Sequence, residues 1–199
     1  NPGVNRGYQP ATLNDDFTLR NFTAACGPVI YLDTVLGSEY EGDAFICEPS
    51  GNTVEHRNLM PRGTQPPQAR RERGIGAVLA STDERFRPVH AAVGSDGALY
   101  VLDMYRGILQ HQIFMTSFLR QQVLARTRQS PIDRGRIWRL VPDDSSRRSL
   151  PNMADDSLES LVELLGNRNG AIRLLAQRQL VSMEDPESIP LLERVVMDN

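Results

Sequence analysis

The spacing of apolar residues changes once along this chain, and that change constrains the fold more than any other feature. Over residues 25–142 the apolar residues come in short runs closed by Gly, Pro, Asn and Asp; from residue 151 they recur at helical spacing. Short runs with turn residues at both ends predict antiparallel strands. Apolar residues at i, i+3, i+4 and i+7 line one face of a helix. The expected fold class is therefore β plus α, with antiparallel strands first and helices after. Three regions are expected: an irregular polar segment over 1–24, a strand region over 25–142 and a helical region over 143–199.

The clearest hairpin pairs residues 88–93 with 98–102 around Gly94-Ser-Asp-Gly97. A second pairs 43–47 with 52–56 around Glu48-Pro-Ser-Gly51, again a turn composition. Residues 28–32 form one more strand candidate. Residues 135–141 form the last, with Ile137 and Trp138 for packing and Pro142 to end it. Two insertions interrupt the strands. Residues 61–80 contain Pro66-Pro67 and the basic residues Arg70, Arg71 and Arg73, which predicts a surface loop. Residues 111–127 carry Phe114, Phe118 and Val123 at spacings that predict a helix packed on a sheet.

In the helical region Leu158, Leu161, Val162 and Leu165 make one stripe, with Asp155, Asp156 or Ser157 to cap the helix and Gly166 to close it. Ile172, Leu175, Ala176 and Leu180 make a second stripe; Ile189, Leu192, Val195 and Val196 make a third, after Asp185 as cap and Pro186 at the first turn. Three short amphipathic helices cannot cover their stripes alone. They call for stacked neighbours, as in repeat solenoids, and the array is expected to continue past Asn199.

Composition narrows the function classes. The 199 residues carry a net charge of −3, which does not suggest nucleic-acid binding. No apolar run approaches the ~18–20 residues of a membrane span, and residues 1–10 lack the pattern of a signal peptide. All 22 basic residues are Arg. A GC-rich genome alone gives that bias; the functional alternative is forked contacts to carboxylates or to a partner, which Lys does not make. Cys26 and Cys47 are the two cysteines, and neither belongs to a Cys-x-x-Cys-His sequence, so no covalent haem is expected in this chain.

Several segments together resemble a bacterial family. Arg85-Phe-Arg-Pro-Val89 followed by Gly94-Ser-Asp-Gly-Ala-Leu-Tyr-Val-Leu-Asp-Met-Tyr-Arg106 is similar to a blade motif of membrane-bound or quinoprotein-like dehydrogenases typical of planctomycetes. Thr23 to Tyr31 and Gly42 to Asn52 resemble the preceding blade, Asp133 to Arg139 its closing strand, and Leu161 to Leu165 with Asn169 and Arg173 to Arg178 a first HEAT unit. Those proteins join a β-propeller to HEAT repeats and often to a cytochrome c domain, and are distantly similar to sugar dehydrogenases that use pyrroloquinoline quinone. A propeller needs at least about four blades; this sequence supplies roughly half that number.

The resemblance implies a periplasmic setting, membrane-associated through partners, and part of a dehydrogenase that oxidises a sugar or alcohol and passes electrons to a cytochrome c. The alternative is a non-catalytic scaffold or interaction subunit of a larger redox complex. Either reading implies protein partners: the rest of a propeller, a cytochrome c domain or a larger assembly. Pyrroloquinoline quinone or Ca²⁺ is the cofactor the resemblance implies for the full-length protein. Arg87, at the foot of an inner strand, Asp103, after the second strand, and His111, as a general base, are the expected catalytic residues. Tyr105 and Arg106 are the expected cofactor contacts. Each has a plainer role open to it: an ion pair between blades for Arg87, a buried pair with Arg106 that fixes the loop for Asp103, and an anchor for the insertion for His111. Glu48 faces a channel or caps its turn. His56 is expected at the surface and His90 packed. Met104, Met115 and Met153 are expected as core filler. In an oxidising periplasm Cys26 and Cys47, on neighbouring strands, are expected to form a disulfide.

Overall fold

A computed structural model describes residues 14–15, 19–71, 77–144, 148, 150–153 and 156–197. The expected roles of Arg73 and Asp155, and most of the irregular reading of 1–24, lie outside the described residues; residues 20–25 are bends without a strand. Among the described residues the fold is mixed β and α, with antiparallel sheets and four α-helices. It divides into two compact units, one of residues 1–30, 43–92 and 100–139, the other of 31–42, 93–99 and 140–199.

The larger sheet is ordered β1 (Cys26–Ile30), β2 (Ala44–Glu48), β3 (Thr53–Arg62) and β4 (Gln65–Arg70), with the short β5 (Leu79–Ala80) also on β3. The expected hairpin over 43–56 is present, in the register Phe45↔His56 and Cys47↔Val54. Within the loop expected over 61–80, residues 65–70 are instead a strand, β4, paired through Asn58↔Arg70, Leu59↔Ala69 and Met60↔Gln68. Pro66 and Pro67 are tolerated because β4 is a fully exposed strand at the end of the sheet order and the ladder shifts register between Met60 and Arg62. Proline lacks the N–H a central strand would need, but an edge or a bulge does not require it.

The second sheet is ordered β6 (Pro88–Val93), β7 (Leu99–Asp103) and β8 (Arg136–Leu140). Between β7 and β8 the insertion forms a 3-10 turn over Gln112–Phe114 and then α1 (Ser117–Ala125). The Thr116 hydroxyl accepts the Leu119 N–H and starts the helix afresh. The buried face of α1 is therefore Leu119 and Val123, while Phe114 lies 61 % exposed. Strand β8 also departs from expectation: Ile137 and Trp138 are both exposed. In the first unit Phe45, Cys47, Val54, Phe86, Ala91 and Val101 are buried.

The second unit holds α2 (Leu158–Leu164), α3 (Gly170–Met183) and α4 (Ser188–Met197). Ser157 caps α2 through the Ser160 N–H and Asn169 caps α3 through the Ile172 N–H. Leu161, Val162 and Leu180 form their core, with Met153, Leu158, Leu165, Leu191 and Leu192 packed against it. Leu175, Ile189, Val195 and Val196, expected on the buried stripes, are exposed, and Pro186 lies in a turn before α4 rather than in its first helical position. Met153 is filler as expected, but Met104 is exposed.

The same unit contains a polar knot that the sequence did not single out. The Asp33 carboxylate is fully buried; Oδ1 accepts the N–H groups of Thr34 and Val35, and Oδ2 accepts Asn169 Nδ2 at 2.8 Å and Arg148 Nη1 at 3.1 Å. Asn169 also donates to the Gly94 carbonyl at 2.9 Å. Gly97, at φ +81°, must be glycine here, because a Cβ would come within 2.7 Å of Asp33 Oδ1. The Tyr31 hydroxyl donates to the Gly97 carbonyl at 2.7 Å and accepts the Leu36 N–H.

Burial first, opposed by the Leu36 N–H, pushes the Tyr31 phenol up to about 12. A phenol that ionises near pH 10 when unfolded and near 12 when folded binds more protons in the folded state. Its stabilising contribution is thus complete below pH 10 and is lost as the pH rises toward 12. An ultraviolet phenolate titration should show one of the five tyrosines ionising late and together with unfolding. Tyr31→Phe should remove that late step; a titration unchanged by the substitution rejects the assignment.

Candidate functional site

Four of the expected site residues, Arg87, Asp103, Tyr105 and Arg106, gather where β6 begins and β7 ends. Asp103 closes β7 with its carboxylate buried. Its Oδ1 accepts the backbone N–H of Arg87 and of Tyr105, both at 2.8 Å. Its Oδ2 accepts the indole N–H of Trp138 at 3.1 Å, with Arg136 Nε 3.9 Å away. The Met104 N–H donates to the Arg87 carbonyl, which extends the pairing one step beyond the strands. Tyr105 then turns into the left-handed region at φ +47°, a conformation uncommon for a non-glycine residue and held here by the Asp103 carboxylate. Asp103 does fix the loop, but through main-chain N–H groups rather than through the Arg106 side chain.

Arg87 is buried and binds only carbonyl oxygens through its guanidinium. Nε donates to Arg106 at 2.9 Å, Nη1 to Pro49 at 2.6 Å and Nη2 to Gly107 at 3.2 Å. Burial pushes its pKa down to about 10, against the pull of Asp103 and Asp83. The guanidinium thus joins the turn after β2 to the turn after β7. It is not the ion pair between blades that the sequence left open.

Tyr105 donates its hydroxyl to Asp83 Oδ2 at 2.8 Å and lies under the Arg136 guanidinium, 3.7 Å from the ring centroid. Burial raises the Asp83 carboxyl, but the Arg85 N–H, the Tyr105 hydroxyl and the charges of Arg85 and Arg136 overcome it and leave it below the ordinary carboxylate value. Arg106 contributes its carbonyl oxygen to Arg87. His111 lies apart in role: exposed, it accepts the Ile113 N–H at 3.4 Å and meets the Phe114 ring edge-on, so it starts the 3-10 turn.

Other arginines repeat the carbonyl-binding pattern. Arg85 donates to the Thr127 and Ser130 carbonyls, and Arg173 to those of Asn167 and Arg168. Glu84 pairs with both Arg126 and Arg128. Gly107 lets the backbone at Arg128 come close, since a Cβ would lie 2.3 Å from the Arg128 carbonyl oxygen.

Glu48 caps its turn: Oε1 accepts the Ser50 N–H, and Oε2 accepts those of Thr23 and Ala24. His56, expected at the surface, is buried with Nε2 2.7 Å from Asp43 Oδ2, while Asp43 Oδ1 accepts the Leu59 N–H. His90, expected packed, is exposed on β6. Cys26 and Cys47 are cross-strand partners, and both are free thiols where a disulfide was expected.

A Ca²⁺ ion needs several converging oxygens with lone pairs to offer. Both Asp103 oxygens already face N–H donors, and the described residues contain no group of three or more His, Cys, Asp or Glu that could hold a metal. Asp103 and its neighbours therefore do not fit a calcium site. The Tyr105 hydroxyl, one of the two expected quinone contacts, is likewise engaged by Asp83.

Fold and site define a class: an antiparallel β module with helices, in which buried Arg and Asp side chains tie strand ends together through main-chain groups. Within that class the chain belongs to the family described as a domain of unknown function, DUF7133, whose profile matches residues 3–144. No curated protein and no solved structure matches the chain.

Proposed function

We propose that this chain is a scaffold and interaction module: a partial β-propeller followed by HEAT-type helices, acting within a larger periplasmic redox assembly. One observation carries the reading. The polar groups that would perform chemistry, Arg87 and Asp103, have their hydrogen-bonding capacity used inside the chain, on backbone carbonyls and N–H groups and, for Asp103 Oδ2, on the Trp138 indole. The helices support it, since Val181, Val196 and Met197 are 69 %, 76 % and 84 % exposed and helical repeats use such surfaces to stack and bind. The redox setting and the periplasmic location rest on the resemblance to quinoprotein-like dehydrogenases.

A second reading, part of a sugar or alcohol dehydrogenase, is favoured by the exposed imidazole of His111, whose Nδ1 would accept a substrate proton on releasing the Ile113 N–H. Trp138, the single tryptophan, separates the two because its indole rests on Asp103. Pyrroloquinoline quinone with Ca²⁺ is titrated into the protein, with absorbance-corrected Trp138 emission and dye-linked oxidation of aldoses and alcohols as readouts. Emission unchanged by the quinone and no turnover are expected. Saturable quenching together with turnover lost in His111→Ala overturns the scaffold reading.

A further inference from the structure

We propose that Cys26 and Cys47 are a reversible thiol–disulfide couple on the β1–β2 ladder, exchanging with small-molecule disulfides of the glutathione class. The two residues are direct register partners on adjacent antiparallel strands. Such partners have Cα atoms about 4.5–5.5 Å apart, inside the range a disulfide spans. Their Cβ atoms lie about 4.5–5.5 Å apart, whereas a relaxed disulfide holds them at about 3.8 Å. Closing the bond therefore draws the strands together, and the resulting strain makes the bond easier to reduce.

Contacts on both sides of Cys26 hold it to its neighbours. Glu48, next to Cys47, holds the N–H groups of Thr23 and Ala24 just before Cys26. Gly27, just after Cys26 and at φ +52°, is pressed against β6, where a Cβ would lie 2.5 Å from His90 Cα. The ladder also shifts register between Cys26 and Val29. Burial raises both thiols, Cys47 to about 12, so exchange is slow and begins at Cys26, the partly exposed partner, while Cys47 is fully buried.

The Cys26 thiolate attacks one sulfur of glutathione disulfide; that S–S bond breaks and one glutathione thiolate leaves. The Cys47 thiolate then attacks the Cys26 sulfur, the protein S–S bond forms, and the second glutathione leaves. Two protein thiols are oxidised, one small disulfide is reduced to two thiols, and the protons lost by the cysteines are taken up by the departing thiolates.

The native chain is equilibrated in glutathione buffers of graded redox ratio, quenched with acid, labelled with N-ethylmaleimide in denaturant and weighed intact under non-reducing conditions. The expected result is a monomer carrying two labels in reducing buffers. It passes to an unlabelled monomer lighter by two hydrogens in oxidising ones, with the same midpoint from both directions. Cys26→Ser should abolish the lighter species. Two labels at every ratio, a persistent glutathione adduct, intermolecular dimers, or a disulfide that excess glutathione leaves intact would each overturn the proposal.

Discussion

Arg87→Ala is expected to cost about 3–5 kcal/mol of stability, because it removes a buried guanidinium and leaves three carbonyl oxygens without their donor. The loss is main-chain in character: Pro49, Arg106 and Gly107 remain in place, but nothing joins their turns. Arg87→Lys should lose at least half as much, since an ammonium on a flexible stem cannot present the fixed fork that reaches all three oxygens. Urea unfolding followed by Trp138 emission measures both. An Arg87→Ala protein within about 1 kcal/mol of the parent, the net worth of one ordinary hydrogen bond, means the clamp does not hold in solution.

Asn169→Ala should have the second largest effect, about 2–4 kcal/mol. It removes the cap of α3, worth about 1 kcal/mol, and also the donor that Asp33 and the Gly94 carbonyl share. Asn169→Asp separates these parts. The aspartate can still accept the Ile172 N–H but sets a second carboxylate against buried Asp33. If the cap alone matters, Asn169→Asp will match the parent; if the knot matters, it will be as unstable as Asn169→Ala or worse. Hydrogen exchange at the first turn of α3 locates the change.

The hairpins were legible because alternation and turn residues agree with the final pairing of β2 with β3 and of β6 with β7. Strand β4 was not, because Pro66-Pro67 reads as a breaker unless one knows that the strand lies at an edge. The helical insertion was legible as a helix but not in its face: the cap at Thr116 restarts the phase, so Phe114 does not share a stripe with Val123. At the site, Arg87 and Asp103 could be named from their positions at strand ends. Their partners could not, because a carbonyl or N–H leaves no mark in the sequence. His56 and Asp43 were missed for a related reason: strand alternation assigns a face but not which polar pair that face buries. The two cysteines could be placed on neighbouring strands from sequence, and only the pairing put them directly opposite each other.

The arginine clamps have a consequence for how such a domain can drift. A guanidinium that binds main-chain oxygens recognises the path of a loop and not its side chains. At Pro49, Arg106, Thr127, Ser130, Asn167 and Arg168 the acceptor survives nearly any substitution that keeps the backbone course. The loops are thus free to diversify while the few clamping side chains stay fixed. Grafting foreign loop sequences of equal length onto this framework should succeed most readily where an arginine already holds the ends.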